Sequence, residues 1–233
     1  MAGKTRRQSN ESIDTTTARI TAIEVGPTIV SLKVADNASS PWIVPAGAKW
    51  FKVTLVGAGG AGARSNVING SGGSGTSFGT LGANAGGGAF TDASQIALGG
   101  AGGGIASSTM TNFTILVSQS GQRGAAGHWD SAATQSIGGA GGSTLLGMGG
   151  QGGNANLVDV SSPPSNSGAG GAGEPNQGAT SGAAGGGGAG AYISGIVKSP
   201  AASYTFGVGT GGVNAGSSAS NGADGQILIE VYF

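Results

Sequence analysis

Trp50-Phe51-Lys52-Val53-Thr54-Leu55-Val56 runs straight into Gly57-Ala58-Gly59-Gly60-Ala61-Gly62, and Gly225 runs straight into Gln226-Ile227-Leu228-Ile229-Glu230-Val231-Tyr232-Phe233. In the first stretch Phe51, Val53 and Leu55 share one face of a strand, and in the last Ile227, Ile229, Val231 and Phe233 do. The tract between them is dominated by glycine. Ordering glycine costs more backbone entropy than ordering any other residue, so a folded tract of this kind must gain something unusual in return. Strands at both of its ends predict a sheet that closes its base, with glycine segments projecting from it.

Composition narrows the classes. The 52 glycines and 7 prolines make up about a quarter of the 233 residues, at the border of low complexity. No strict Gly-X-Y period runs through them, which excludes collagen. Charged residues are only 9% and the net charge is zero, whereas disorder couples low hydrophobicity to high charge. The absence of cysteine removes disulfides and thiolate metal sites, and a single histidine, His128, leaves little for metal or acid–base chemistry. No apolar run reaches the length of a membrane span, and residues 1–20 lack the apolar centre of a signal peptide. These features lead us to expect no enzyme activity, no cofactor or metal and no membrane insertion, in a part assembled inside a cell and released with a particle.

A glycine run can be ordered without apolar burial if it adopts the three-residue, left-handed extended helix and packs beside others of its kind. Such a helix has no internal hydrogen bonds, so its N–H and C=O groups must pair with neighbours. Only glycine lets the backbones come close enough, with Cα–H···O contacts adding weakly. Gly86–Gly88, Gly99–Gly104, Gly138–Gly142, Gly147–Gly153, Gly168–Gly173 and Gly185–Gly190 are the candidate rods. Phe113–Val117, Tyr192–Val197 and Tyr204–Val208 read as strands, the last two joined as a hairpin by Ser199-Pro200-Ala201-Ala202. Gly57–Gly62 also matches the dinucleotide pattern G-x-G-x-x-G, but no helical periodicity follows and we reject it. The expected fold is therefore all-β: a small sheet or sandwich base carrying packed, polyglycine II-like helices and loops.

The first forty residues differ. Thr15–Val25 is β-prone, Gly26-Pro27 marks a turn, and Thr28–Val34 alternates, which predicts a strand pair preceded by an extended arm. Asp36–Pro41 reads as a loop and a boundary, dividing an assembly segment (1–40) from a glycine-rich domain (41–233). Seven of the ten basic residues lie within the first 52. Lys4, Arg6, Arg7 and Arg19 are the anchoring candidates, suited to an acidic face of a partner protein. With no interleaved aromatics, specific nucleic-acid binding is not expected.

Pro41-Trp42-Ile43-Val44-Pro45-Ala46-Gly47 followed by Phe51–Gly57 resembles the opening of the glycine-rich domain of bacteriophage tail fibres and adhesins, with its W-x-V-P-x-G entry. Gly73–Gly79 resembles an internal motif of that family, and Tyr204–Gly212 with Gly222–Tyr232 resembles its closing strands. The resemblance covers about residues 41–233. It implies a β base carrying packed polyglycine-type helices on a virion surface, with host-receptor contact through variable loops at the tips.

Three loops hold the contact candidates. Gln122–Gln135 carries Arg123, His128, Trp129 and Asp130, the densest group of recognition-type side chains in the tract. The competing reading has Trp129 capping the glycine helices and His128 bonding locally. Asn154–Ser167 offers Leu157 and Val158, and Arg64–Asn69 offers Val67 and Ile68, each of which can instead tuck against the bundle. His128 and Asp130 lack the nucleophile motif that a hydrolytic triad needs. The sequence thus points to a non-enzymatic virion surface protein of tail-fibre or adhesin type, made in the host cytoplasm, binding a surface polysaccharide or outer-membrane protein. Its alternative is a capsid decoration or head fibre with a structural, protective role. Too few apolar residues in the N-terminal strands predict a homo-oligomer, with a trimer favoured.

Overall fold

The computed structural model describes residues 27–64, 68–92, 96–105, 109–130, 135–154, 160–175, 182–214 and 219–233. Lys4, Arg6, Arg7, Arg19, Val67, Leu157 and Val158, together with the strand expected over Thr15–Val25, lie outside the described residues. The fold is all-β. Its strands are β1 (Thr28–Leu32), β2 (Trp42–Ile43), β3 (Trp50–Val56), β4 (Thr76–Phe78), β5 (Leu81–Ala83), β6 (Thr91–Asp92), β7 (Ile96–Ala97) and β8 (Phe113–Gln119). They continue with β9 (Gly127–Asp130), β10 (Gln135–Ile137), β11 (Ala183–Ala184), β12 (Tyr192–Lys198), β13 (Ser203–Tyr204), β14 (Phe206–Gly207) and β15 (Gln226–Tyr232).

The two strands that bracket the tract pair with each other. β15 lies antiparallel to β3, and the full base sheet has the order β1-β15-β3-β12-β8. Its inner face follows the period-two reading: Phe51, Val53 and Leu55 of β3 and Ile227, Ile229 and Val231 of β15 are fully buried. A second sheet, β14-β4-β5, covers that face. Phe51, Phe78, Trp42 and Tyr204 meet there edge-on, tilted or stacked, with centroids 4.9–5.9 Å apart, within the range where aromatic pairs add to simple burial.

Two expectations are corrected. Val34–Ser39, within the stretch expected to be strand and then loop, form a 3-10 helix, and Asn37 fixes it to the base by accepting from Val208 N–H (2.7 Å) and donating to Val208 C=O (2.9 Å). These bonds, and the pairing of β1 with β15, cross the division placed at residue 40, so residues 28–40 pack with the body. The Tyr192–Tyr204 hairpin does not form. β12 has strands on both sides, β3 and β8, so the segment after Ser199 goes elsewhere, β13 to β2 and β14 to β4.

On the outer face of the base sheet, Lys52 of β3 donates to Glu230 of β15 at 2.7 Å. That hydrogen bond raises the lysine pKa above its ordinary 10.5, against a smaller lowering by burial. A raised lysine pKa contributes stability that is complete below the unfolded value and lost as pH rises through the folded one. Lys52→Gln is accordingly expected to lower stability by at most about 1 kcal/mol at neutral pH, because the pair is partly solvated. The difference from the parent disappears in strongly alkaline solution; denaturant titrations on both sides of the lysine pKa check this.

Beyond the base, glycine segments pair through their backbones. All seven N–H groups of residues 57–63 donate, and the partners recur every third residue. Gly57, Gly60 and Ala63 donate to Ala191, Gly188 and Gly185; Ala58 and Ala61 to Ser74 and Ser71; Gly59 and Gly62 to Ala223 and Ser220. Carbonyls of the same segment accept from Gly86, Ala89, Gly171, Glu174 and Gly212, so the segment is surrounded by six others. Residues 185–191 repeat the pattern, donating to segments 84–90, 122–125 and 168–171. Here the backbone groups replace a side-chain core, satisfying each other where water is excluded.

Candidate functional site

β3, leaving the base at Val56, becomes the segment 57–63, and residues 185–191 return into β12, so the glycine bundle has a base end and a far end. Short strands collect at the far end. β9 is the middle of the sheet β10-β9-β7, and β11 pairs with β6. Isolated bridges join Arg64 to Ile68 and to Glu174, and Ile137 to Asn154. The N–H of Thr91 donates to Asn69 Oδ1 at 2.8 Å, which brings the end of the Arg64–Asn69 stretch to the same place.

The segment expected as a loop over Gln122–Gln135 therefore contains strand β9 and ends where β10 begins, and this decides which side chains act together. His128 stands directly between Ile96 of β7 and Ile137 of β10. Both isoleucines are about half exposed, 55% and 53%, and His128 is exposed. Successive side chains of a strand point to opposite faces, so Trp129 lies on the other face, opposite the buried Ser136, whose hydroxyl donates to Gly182 C=O at 3.3 Å. Trp129 is half-buried, in keeping with the capping reading. Asp130 pairs in the ladder with Gln135.

Arg123 is not part of this row. It precedes β9 on a glycine segment, where Gly121 and Gly124 donate to Gly103 and Gly100, and its Nε donates to Gly99 C=O at 3.3 Å. Ile68 is half-buried and held in its bridge to Arg64. Arg64 Nε lies 3.2 Å from Glu174 Oε2, a largely buried oxygen not aligned for a hydrogen bond, so this contact is an ion pair that ties two segments.

Sequence reading missed the apolar residues that accompany His128. Leu98, two residues after Ile96, is exposed, and its C=O accepts from the N–H of the equally exposed Phe90. Their signal was present in the sequence: Phe90, Ile96 and Leu98 are bulky residues flanking glycine runs that need none. Ile96 and Ile137 thus flank one exposed histidine, and the exposed Leu98 and Phe90 are joined to each other by a backbone bond just beyond Ile96. Among the described residues no three metal-ligating side chains come together, and no helix is long and apolar enough to cross a membrane. No family model matches the chain, and no curated protein matches it.

Proposed function

We propose that this chain is a non-enzymatic surface protein of a bacteriophage particle, of tail-fibre or adhesin type, whose glycine bundle carries a receptor-contact surface at its far end. The observation that carries the reading is the three-residue recurrence of backbone hydrogen bonds between glycine segments. A period of three with extended backbone and no bonds inside a segment is the signature of polyglycine II-like packing. Such a bundle is rigid without a conventional core, which suits a projection that presents loops at a distance. The segment before β1 attaches the chain to the particle through its basic side chains; β1 itself starts at the end of the base sheet away from the contact surface.

The exposed row Ile96, His128, Ile137 favours an adhesin over a purely protective cover, because a cover gains nothing from unpaired aliphatic residues at its far end. Ile96→Asp and Ile137→Asp together are expected to reduce retention of the purified protein on cells of the bacterium the particle infects by at least about tenfold. Thermal stability should change little, since both side chains are half exposed. A parent protein that is not retained on those cells sinks the adhesin reading and leaves the decoration or head-fibre role in its place.

A further inference from the structure

The far side of the molecule carries a second feature that the receptor reading does not use. At the end of the base sheet away from the glycine bundle, Tyr232, Trp50 and Lys198 lie side by side on β15, β3 and β12. The Tyr232 ring stacks on Trp50 at 3.7 Å and 8°. Its hydroxyl donates to Glu230 Oε2 at 3.3 Å, so the ring that holds Trp50 is itself held. The indole is therefore fixed before any ligand arrives, which removes part of the ordering cost of binding.

Next to it is a cleft of about 260 Å³ lined by Lys49, Trp50, Ile196, Lys198 and Ser199. Tyr232 is absent from that lining, so it covers one face of the indole and leaves the other toward the cleft. Ile196 supplies an aliphatic surface. Ser199 sits at φ 50°, a left-handed conformation that a serine seldom adopts and that is concentrated at functional positions. Glu230 has one oxygen on Lys52 and the other on Tyr232, and among the described residues neither Lys49 nor Lys198 forms an ion pair. The cleft thus combines a rigid aromatic wall with two ammonium groups that form no ion pair among the described residues.

We propose that this cleft binds a carboxylate-bearing sugar ring, its C–H face on the indole of Trp50 and its carboxylate between the ammonium groups of Lys49 and Lys198. A neutral sugar makes no use of the two lysines. A lone acidic side chain of a protein makes little use of the indole face and leaves much of the volume unfilled. The site is independent of the far-end contact surface, so its test does not involve cells.

The 233-residue protein is titrated with a tetramer of galacturonic acid, and with the same tetramer after reduction of its carboxylates to alcohols. The chain has three tryptophans, so the Trp50 indole N–H can be followed by NMR. The Trp50 signal is expected to shift to saturation with the acidic tetramer, and the reduced tetramer to bind at least tenfold more weakly. A Lys49→Gln, Lys198→Gln double variant, altered only at exposed positions, keeps a folded spectrum and loses at least tenfold in affinity for the acidic form. Equal binding of the two tetramers, or no response at Trp50, overturns the proposal. So does tighter binding of a hexaglutamate peptide, which assigns the cleft to an acidic protein segment.

Discussion

Gly188→Ala is expected to destabilise the protein by more than about 4 kcal/mol, a loss large enough to prevent folding of a marginally stable domain. A Cβ placed on Gly188 lies 2.0 Å from the carbonyl oxygen of Ala101, 2.5 Å from its carbon and 2.9 Å from the oxygen of Gly100. All three are backbone atoms, so no change of side-chain rotamer relieves the contact. Gly188 also donates to Gly87 and accepts from Gly60, and moving it apart breaks bonds on two sides whose partners are left unsatisfied. Gly104→Ala is the control. Its Cβ meets nothing closer than Asn84 Nδ2 at 3.9 Å, and the residue is exposed, so stability should stay within about 0.5 kcal/mol. Denaturant unfolding of the two variants beside the parent settles the matter. A Gly188→Ala protein within 1 kcal/mol of the parent would show that the bundle is not held by close backbone contact.

Phe78→Ala is expected to lower stability by about 3–5 kcal/mol. Phe78 is fully buried and sits on β4 between Phe206 of β14 and Leu81 of β5. Its ring reaches Trp42, Phe51 and Tyr204, at 5.8, 5.9 and 4.9 Å. Removing it opens a cavity in the core shared by the small sheet and the five-stranded sheet, and the surrounding rings are too rigid to fill it. Near-ultraviolet circular dichroism should lose intensity with it, because Trp42 and Tyr204 each lose one of the two rings that fix them. Phe78→Leu keeps most of the volume and should cost less. A loss under about 1 kcal/mol for Phe78→Ala would mean that the two sheets are joined chiefly by other contacts.

Strands with regular alternation were legible in the sequence. β3 and β15 follow from Phe51, Val53 and Leu55 and from Ile227, Ile229 and Val231, and β8 and β12 lie where Phe113–Val117 and Tyr192–Val197 place them. The strands at the far end were not. Gly127-His128-Trp129-Asp130 has no alternating apolar pattern, because its inward face alternates a glycine with a single tryptophan and its outward face begins with a histidine. Two-residue strands such as β6, β7 and β11 are too short to carry any period. The false hairpin came from a genuine turn signal at Ser199-Pro200, since local turn chemistry does not say which strand a chain joins afterwards. For the same reason the candidate site was only half visible. His128 and Trp129 are adjacent in sequence, and only the strand assignment reveals that they face opposite ways.

The direction of β1 has a mechanical consequence. β1 runs antiparallel to β15 and hence in the same sense as β3, toward the glycine bundle. If the particle holds the chain by residues before Thr28 while the far end is held by a cell, tension runs along the strands. The ladder bonds of β1 lie across that direction, so its five residue pairs with β15 are loaded in shear and must yield together. A strand pulled from its other end would peel one pair at a time under much smaller forces. An attachment through the segment before Thr28 would therefore load β1 from the end at which its five pairs resist together.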